Sequence, residues 1–273
     1  ADVRPLPRIR DDDSKLAEAK EDPGMFDAMR KKIARRARNQ NAPQNCIKCV
    51  EAAVTLPFDE GIARERELFD ELVMADEAKS LRYAFFAERQ ANKIPDIDKF
   101  VKGRTVVSGA VIGAGTMGGG IAMNFANVGI PVTIVERDEE ALERGLAVVR
   151  SNYERTAARG GISSDDVETR MGLISGSVDM GDFAECDLII EAVFENMDLK
   201  KSIFEQLDQI CQPGAILASN TSALDINEIA SATSRPEAVI GMHFFSPANV
   251  MKMLEVVRGD DTSDIAIATA MGI

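Results

Sequence analysis

His243 is the single histidine of this 273-residue chain, and it stands in Gly241-Met242-His243-Phe244-Phe245-Ser246-Pro247. Twelve residues later Glu255 interrupts the apolar run Leu254-Glu255-Val256-Val257. A carboxylate within reach of an imidazole fixes its tautomer and raises its basicity. An unpaired carboxylate in an apolar strand is costly, which makes the two natural partners. Far upstream, Gly113-Ala114-Gly115-Thr116-Met117-Gly118 has the spacing of a turn that brings backbone amides up to a dinucleotide. A base beside a hydride acceptor is the equipment for oxidising an alcohol. An isolated histidine is otherwise read as a core side chain satisfied by backbone. The position of His243 at a strand end favours the base.

The elements around the glycines carry the argument further. Val106–Ile112 reads as a strand, Met117–Val128 as a helix and Val132–Val135 as a second strand, which ends at Glu136. In this arrangement Gly113 permits the tight turn, Gly115 lets a pyrophosphate approach the backbone and Gly118 lets helix and strand pack closely. The acid 23 residues after Gly113 is what gives the glycine spacing its specificity. Glu136 can accept both ribose hydroxyls and repels a 2′-phosphate, which favours NAD over NADP, although Arg137 follows it directly. Beyond it the alternation continues, with helix Glu139–Ala158, strands Leu173–Ser175 and Asp187–Val193, helix Leu199–Ile210, and strands Ala215–Ser219 and Val239–Phe244. This is the pattern of a doubly wound sheet. Ligands of such sheets lie beyond the carboxyl ends of the strands, so Val193-Phe194-Glu195-Asn196, Ser219-Asn220-Thr221-Ser222 and His243 should converge on one crevice. Asn220-Thr221-Ser222 is formally a glycosylation sequon, an unlikely use in a chain without a secretory signal pattern.

Residues 1–102 are different. They carry 20 Lys+Arg against 20 Asp+Glu, whereas residues 103–273 carry 12 against 25 and hold the whole net charge of −13. Helices are expected at Met25–Arg38, around Ile47–Val54, at Glu65–Leu72 and at Ala78–Lys93. A Pro43-containing loop and Thr55–Gly61 are the expected breaks, after an irregular opening with Pro5 and Pro7. No strand pattern occurs here. The run Arg30-Lys31-Lys32…Arg35-Arg36…Arg38 admits a phosphate-binding reading, but a solvated helix face is the better one. Cys46-x-x-Cys49 falls on a helix and lacks two further ligands, so two cysteines on one helix face is a better reading than a zinc or redox site. The acidic second half argues against nucleic acid as a partner, and no apolar run approaches the length of a membrane span. The chain begins without methionine and reads as a reduced, intracellular piece of a longer protein.

With these residues in view, the sequence resembles the NAD-dependent L-3-hydroxyacyl-CoA dehydrogenases of fatty-acid β-oxidation. The resemblance rests on Val111–Gly118, Ile190–Asn196, Ser219–Ser222, Gly241–Pro247 and Val250–Val257, in family order. It implies an α/β fold, a Rossmann-type doubly wound sheet over residues 103–273, preceded by an all-helical segment. Thr55–Gly61 and Phe86–Pro95 resemble the linker of multifunctional enzymes in which an enoyl-CoA hydratase/isomerase domain of the crotonase type precedes the dehydrogenase. Residues 1–102 would then be the helical tail of that domain and the linker, with the dehydrogenase's C-terminal helical domain absent. The resemblance further implies that His243 takes the proton of the C3 hydroxyl while hydride passes to NAD, and that Glu255 orients His243. Ser222 would bond the substrate oxygen and border the cofactor. Gly113, Gly115, Met117, Gly118, Glu136, Val193, Phe194, Glu195 and Lys200 would hold the cofactor. Ser246, where many relatives have asparagine, would face the substrate. An acyl-CoA substrate, a thiolase subunit as partner, and bacterial cytoplasm or peroxisome as compartment follow in the same way. A piece without the C-terminal domain is expected to bind NAD but to turn over poorly. The rival readings are another 3-hydroxyacid dehydrogenase, a class that usually relies on a lysine base, and a non-catalytic NAD-binding or scaffold protein. The His243/Glu255 pair speaks against the first, and the joint presence of Ser222, His243 and Glu255 against the second.

Overall fold

A computed structural model describes residues 10, 12–98 and 100–273 of the chain. The expected opening with Pro5 and Pro7 lies outside the described residues. The chain divides between Ile94 and Pro95 into two units.

The first unit is helical, with α1 (Ala17–Glu21), α2 (Gly24–Ile33), α3 (Ala42–Thr55), α4 (Phe58–Met74) and α5 (Asp76–Ala91). Phe26, Ile47 and Val54 form its small core, backed by Leu16, Ala19 and Ile33. Three expectations shift. The helix expected to reach Arg38 stops at Ile33, because residues 34–38 offer only alanines for burial and Asn39 takes a positive φ of 62°. Pro43, expected in a loop, lies in the first turn of α3, where its missing N–H is not needed. The break after α3 is confined to Leu56 and Pro57, both extended, so Gly61 falls inside α4. Extended Ala75 separates α4 from α5. Of the cationic run, Arg30, Lys31 and Lys32 occupy the last turn of α2, where cations suit the helix dipole, and Arg30 pairs with Asp27 and Glu51.

The second unit is the doubly wound sheet expected from the alternation. In chain order it contains β1 (Gly109–Ile112), α6 (Thr116–Asn127), β2 (Val132–Val135), α7 (Glu139–Ala158), α8 (Ser164–Met171) and β3 (Ile174–Ser177). There follow β4 (Leu188–Glu191), α9 (Met197–Ile210), β5 (Ile216–Ser219), α10 (Ile226–Ala230), β6 (Val239–Phe244), β7 (Leu254–Arg258) and α11 (Asp264–Gly272). The strand order is β3-β2-β1-β4-β5-β6-β7. Six strands are parallel and β7 runs antiparallel to β6. The order reverses between β1 and β4, and a crevice opens at such a switch point beyond the strand ends. The central strands β1, β4 and β5 are buried along their whole length, as strands covered on both faces must be. Ile189, Phe204, Leu207, Leu217 and Val239 are fully buried in one cluster, each worth about 1.5–3 kcal/mol of apolar burial. The strand expected from Val106 is ordered as β only from Gly109, where α6 lays the Phe125 ring against the backbone. α8, α10 and α11 were not legible as helices. α8 nevertheless has a full capping box between Ser163 and Asp166. No helix among the described residues is long and apolar enough to cross a membrane.

Candidate active site

The glycine turn sits between β1 and α6. Gly113 has a φ of +100°, and a Cβ there would lie 2.9 Å from the carbonyl oxygen of Ala192. A Cβ on Gly118 would lie 1.8 Å from the Gly113 carbonyl oxygen, so only glycine lets α6 come this close to the strand exit. Gly115 differs: a Cβ there meets nothing within 4 Å, and as N-cap of α6 it provides no side-chain cap. The helix N-terminus thus offers uncapped amides with open space above them, which suits a pyrophosphate. Half-buried Met117 lies in the first turn of α6. Glu136 follows β2 and leans over the turn, its carboxylate accepting from the Ala114 amide at 3.0 Å and from the Arg137 amide at 2.8 Å. These residues fit a dinucleotide.

The end of β4 is built around an acid that the sequence reading did not single out. Glu191 is 0 % exposed. Its carboxylate accepts from the Val193 amide at 2.7 Å, the Ser219 hydroxyl at 2.7 Å and the Lys200 ammonium at 2.7 and 2.8 Å. The signal for it was a carboxylate inside the apolar run Leu188–Val193, which a central strand tolerates only if the group is paired. Asn196 caps α9 by accepting from the Leu199 amide at 2.9 Å, and this start places Lys200 one turn in, facing Glu191. Lys200, expected to reach the cofactor, is 1 % exposed, with its remaining contact to Glu195 at 3.4 Å. Its ammonium is therefore spent beneath the crevice rather than presented to it.

Glu195 gathers the loop after β5. It accepts from the Thr221 hydroxyl at 2.6 Å, from the Ser222 amide at 2.9 Å and hydroxyl at 3.3 Å, and from the Ala223 amide at 3.3 Å. Partial burial pushes its pKa up, but the hydrogen bonds from Thr221 and Ser222 and the charge of Lys200 outweigh it and hold the carboxyl below its ordinary range. Val193 is half-buried behind it, whereas the Phe194 ring is 82 % exposed. The sequence reading brought Glu195 and Ser222 into one crevice, and the structure bonds them directly.

A histidine–carboxylate pair lies at the other side of β5. His243 and Glu255 are register partners across β6 and β7, and Nδ1 of His243 is 2.8 Å from Oε2 of Glu255. The His243 side chain is 21 % exposed, Nε2 has no hydrogen-bond partner among the described residues, and the Phe245 ring lies 4.9 Å away, tilted. Asn220, also not singled out from sequence, ties the two strand ends together. Its side-chain oxygen accepts from the Phe244 amide at 2.8 Å while its backbone N–H donates to the Glu191 carbonyl. Ser246 is exposed and bonds to neither member of the pair. An apolar groove of about 520 Å³ between α6 and residues 248–254 contains none of the expected site residues. No group of three His, Cys, Asp or Glu side chains is placed to hold a metal ion among the described residues.

A doubly wound sheet with this glycine turn and ribose-side acid defines a Rossmann-type dinucleotide-binding domain. Residues 108–273 match the family described as 3-hydroxyacyl-CoA dehydrogenase, NAD binding domain, and the chain belongs to that family. It is 46 % identical over 254 residues to the peroxisomal bifunctional enzyme of Danio rerio, a match covering 92 % of this chain and 34 % of that protein. Among solved structures, the (S)-3-hydroxybutyryl-CoA dehydrogenase of Ralstonia eutropha is similar with a TM-score of 0.61 and 39 % identity, over 62 % of this chain and 59 % of that one. The dehydrogenase part of a multifunctional enzyme from C. elegans is similar with a TM-score of 0.60 and 36 % identity, over 66 % and 42 %. The chain spans about a third of the length of the curated relatives it matches.

Proposed function

We propose that this chain carries the NAD-binding, proton-transferring half of an L-3-hydroxyacyl-CoA dehydrogenase within a multifunctional β-oxidation enzyme that also has enoyl-CoA hydratase/isomerase activity. The observation that carries the reading is the His243–Glu255 bond, made through Nδ1, which leaves Nε2 free at a strand end of a dinucleotide-binding sheet. Bound NAD supplies the hydride acceptor. Gly113, Gly115, Met117 and Gly118 hold the pyrophosphate side, Glu136 the adenosine ribose, and Val193, Phe194, Glu195 and Ser222 the nicotinamide side. Nε2 of His243 takes the proton from the C3 hydroxyl of an acyl-CoA substrate, and Glu255 keeps Nδ1 protonated and stabilises the imidazolium. Ser222 bonds the reacting oxygen, and Ser246 faces the substrate from the loop after β6. In the reducing direction His243 is the acid.

Residues 1–102, which include the helical unit and the start of the second unit, are read as the tail of a crotonase-type domain followed by a linker. Met74, Tyr83 and Phe86 stand exposed among them. The peroxisomal relatives favour the peroxisome over bacterial cytoplasm as compartment. A thiolase partner rests on the family resemblance alone. The test is NADH-dependent reduction of acetoacetyl-CoA by the full-length protein and by its His243→Ala variant. Loss of turnover in the variant with unchanged NADH binding is expected. Equal turnover would take His243 out of the reaction, and absence of turnover in both with NADH still bound would leave a pure binding role.

A further inference from the structure

Glu191 ends the central strand β4, where its register partners are Ile112 at the end of β1 and Ser219 at the end of β5. It is thus at the switch point itself, one residue from the glycine turn on one side and from the Asn220–Ser222 loop on the other. Charges are buried here at a cost, and a well-packed apolar pair serves a fold equally well or better. The pair is also fully satisfied: no buried side-chain nitrogen or oxygen among the described residues lacks a hydrogen-bond partner.

The contacts have a direction. Glu191 holds the Val193 amide, which starts the exit segment Val193–Glu195, and the Ser219 hydroxyl, which in turn accepts from the Thr221 amide at 3.3 Å. Through Lys200 it reaches Glu195, the acid that collects Thr221, Ser222 and Ala223. Two carboxylates therefore share one ammonium, and the buried acid is bonded to the first turns of both exits, directly at Val193 and through Ser219 at the end of β5. Without the charge of Glu191, Lys200 would bear on Glu195 alone and draw it from the loop.

We propose that Glu191, acting with Lys200, is a positioning residue for the cofactor crevice. It fixes the exits of β4 and β5, and hence Glu195 and Ser222, without itself touching a ligand. The proposal rests on the dinucleotide-site reading given above.

The experiment compares the chain with its Glu191→Gln/Lys200→Met variant, which removes both buried charges together. NADH affinity is read by fluorescence titration, thermal unfolding by circular dichroism, and amide hydrogen exchange in the absence of ligand at residues 193–195 and 220–223. The expected result is an unfolding midpoint close to that of the parent, with faster exchange confined to the two exit segments. NADH affinity is expected to fall about tenfold, the worth of one charge-assisted hydrogen bond. A folded variant with parental affinity and parental exchange overturns the proposal. If the double variant does not fold, Ser219→Ala removes one contact to Glu191 with little change in volume. It must weaken NADH binding in the same direction by about two- to fivefold, and parental affinity there overturns the proposal. A parent chain that fails to bind NADH would sink the dinucleotide reading instead, while the exchange measurement would still test Glu191.

Discussion

His243 and Glu255 are cross-strand partners, held at 2.8 Å by the antiparallel register of β6 and β7. Opposed side chains in such a ladder share a face of the sheet, so the register alone delivers the carboxylate to the imidazole. Replacing Glu255 by Gln keeps the shape but removes the charge that stabilises the imidazolium. In the full-length protein kcat should fall by about 10²–10⁴ while NADH affinity stays the same. Steady-state kinetics with a NADH titration check this, and an unchanged kcat would take Glu255 out of the reaction.

The two glycines of the turn should respond oppositely to an added methyl group. Gly115→Ala meets no atom within 4 Å, so the variant should unfold at the parental temperature yet bind NADH more weakly, because the methyl group fills the pyrophosphate space. Gly118→Ala drives a Cβ into the Gly113 carbonyl and should lose about 1–3 kcal/mol of stability or more. Thermal melts and NADH titrations of both variants decide it. Full NADH affinity in Gly115→Ala would place the phosphates elsewhere.

Asp208 and Arg235 pair at 2.7 Å with both side chains mostly buried, and Arg235 also donates to the carbonyls of Asp208, Cys211 and Gln212 at the end of α9. Burial works to raise the Asp208 pKa, but the hydrogen bonds from Arg235 and Ser234 prevail and lower it. The folded state therefore holds this proton less tightly than the unfolded state. The resulting stability is complete above the ordinary carboxyl value of about 3.9 and is lost as pH falls through the lowered folded value. Asp208→Asn should cost stability near neutral pH, and the deficit should shrink on going to about pH 3. Urea unfolding at the two pH values measures it, and a pH-independent deficit would contradict the linkage.

The cysteines should divide by burial. Burial pushes the Cys211 thiol up to about 11 and raises that of Cys186, so neither presents a thiolate near neutral pH. Cys46 is exposed. Alkylation of the native protein followed by mass spectrometry should label Cys46 and spare Cys186 and Cys211 until denaturant is added. Rapid native labelling of Cys211 would show that the core around α9 opens readily.

The sheet was legible because strongly apolar runs alternate with amphipathic helices, and because Gly113, Gly115, Gly118 and Glu136 occupy fixed offsets around the first two strands. His243 and Glu255 were legible for a related reason: a polar group in an apolar strand needs a partner. Glu191 met the same test but passed unnoticed, since its partner Lys200 lies on a helix and pairs with it through space. The pairing of Lys200 with Glu191 and Glu195 was not legible for the same reason, because nothing in the local sequence says that these side chains meet. Short helices such as α10 are too brief for periodicity to show, and their boundaries depend on caps such as Asp225, which accepts from the Asn227 amide.

β7 enters the sheet against the direction of the other six strands. Its first residues, not its last, therefore stand at the crevice, and the chain turns back between His243 and Glu255 through residues 245–253. The ladder holds the imidazole and the carboxylate side by side. The intervening segment is anchored on its own account, with Ala248 buried beside Gly120 of α6 and its carbonyl accepting from the Asn124 side chain at 3.0 Å. The spacing of His243 and Glu255 and the course of the chain between them thus rest on separate contacts, one set in the sheet and one on α6.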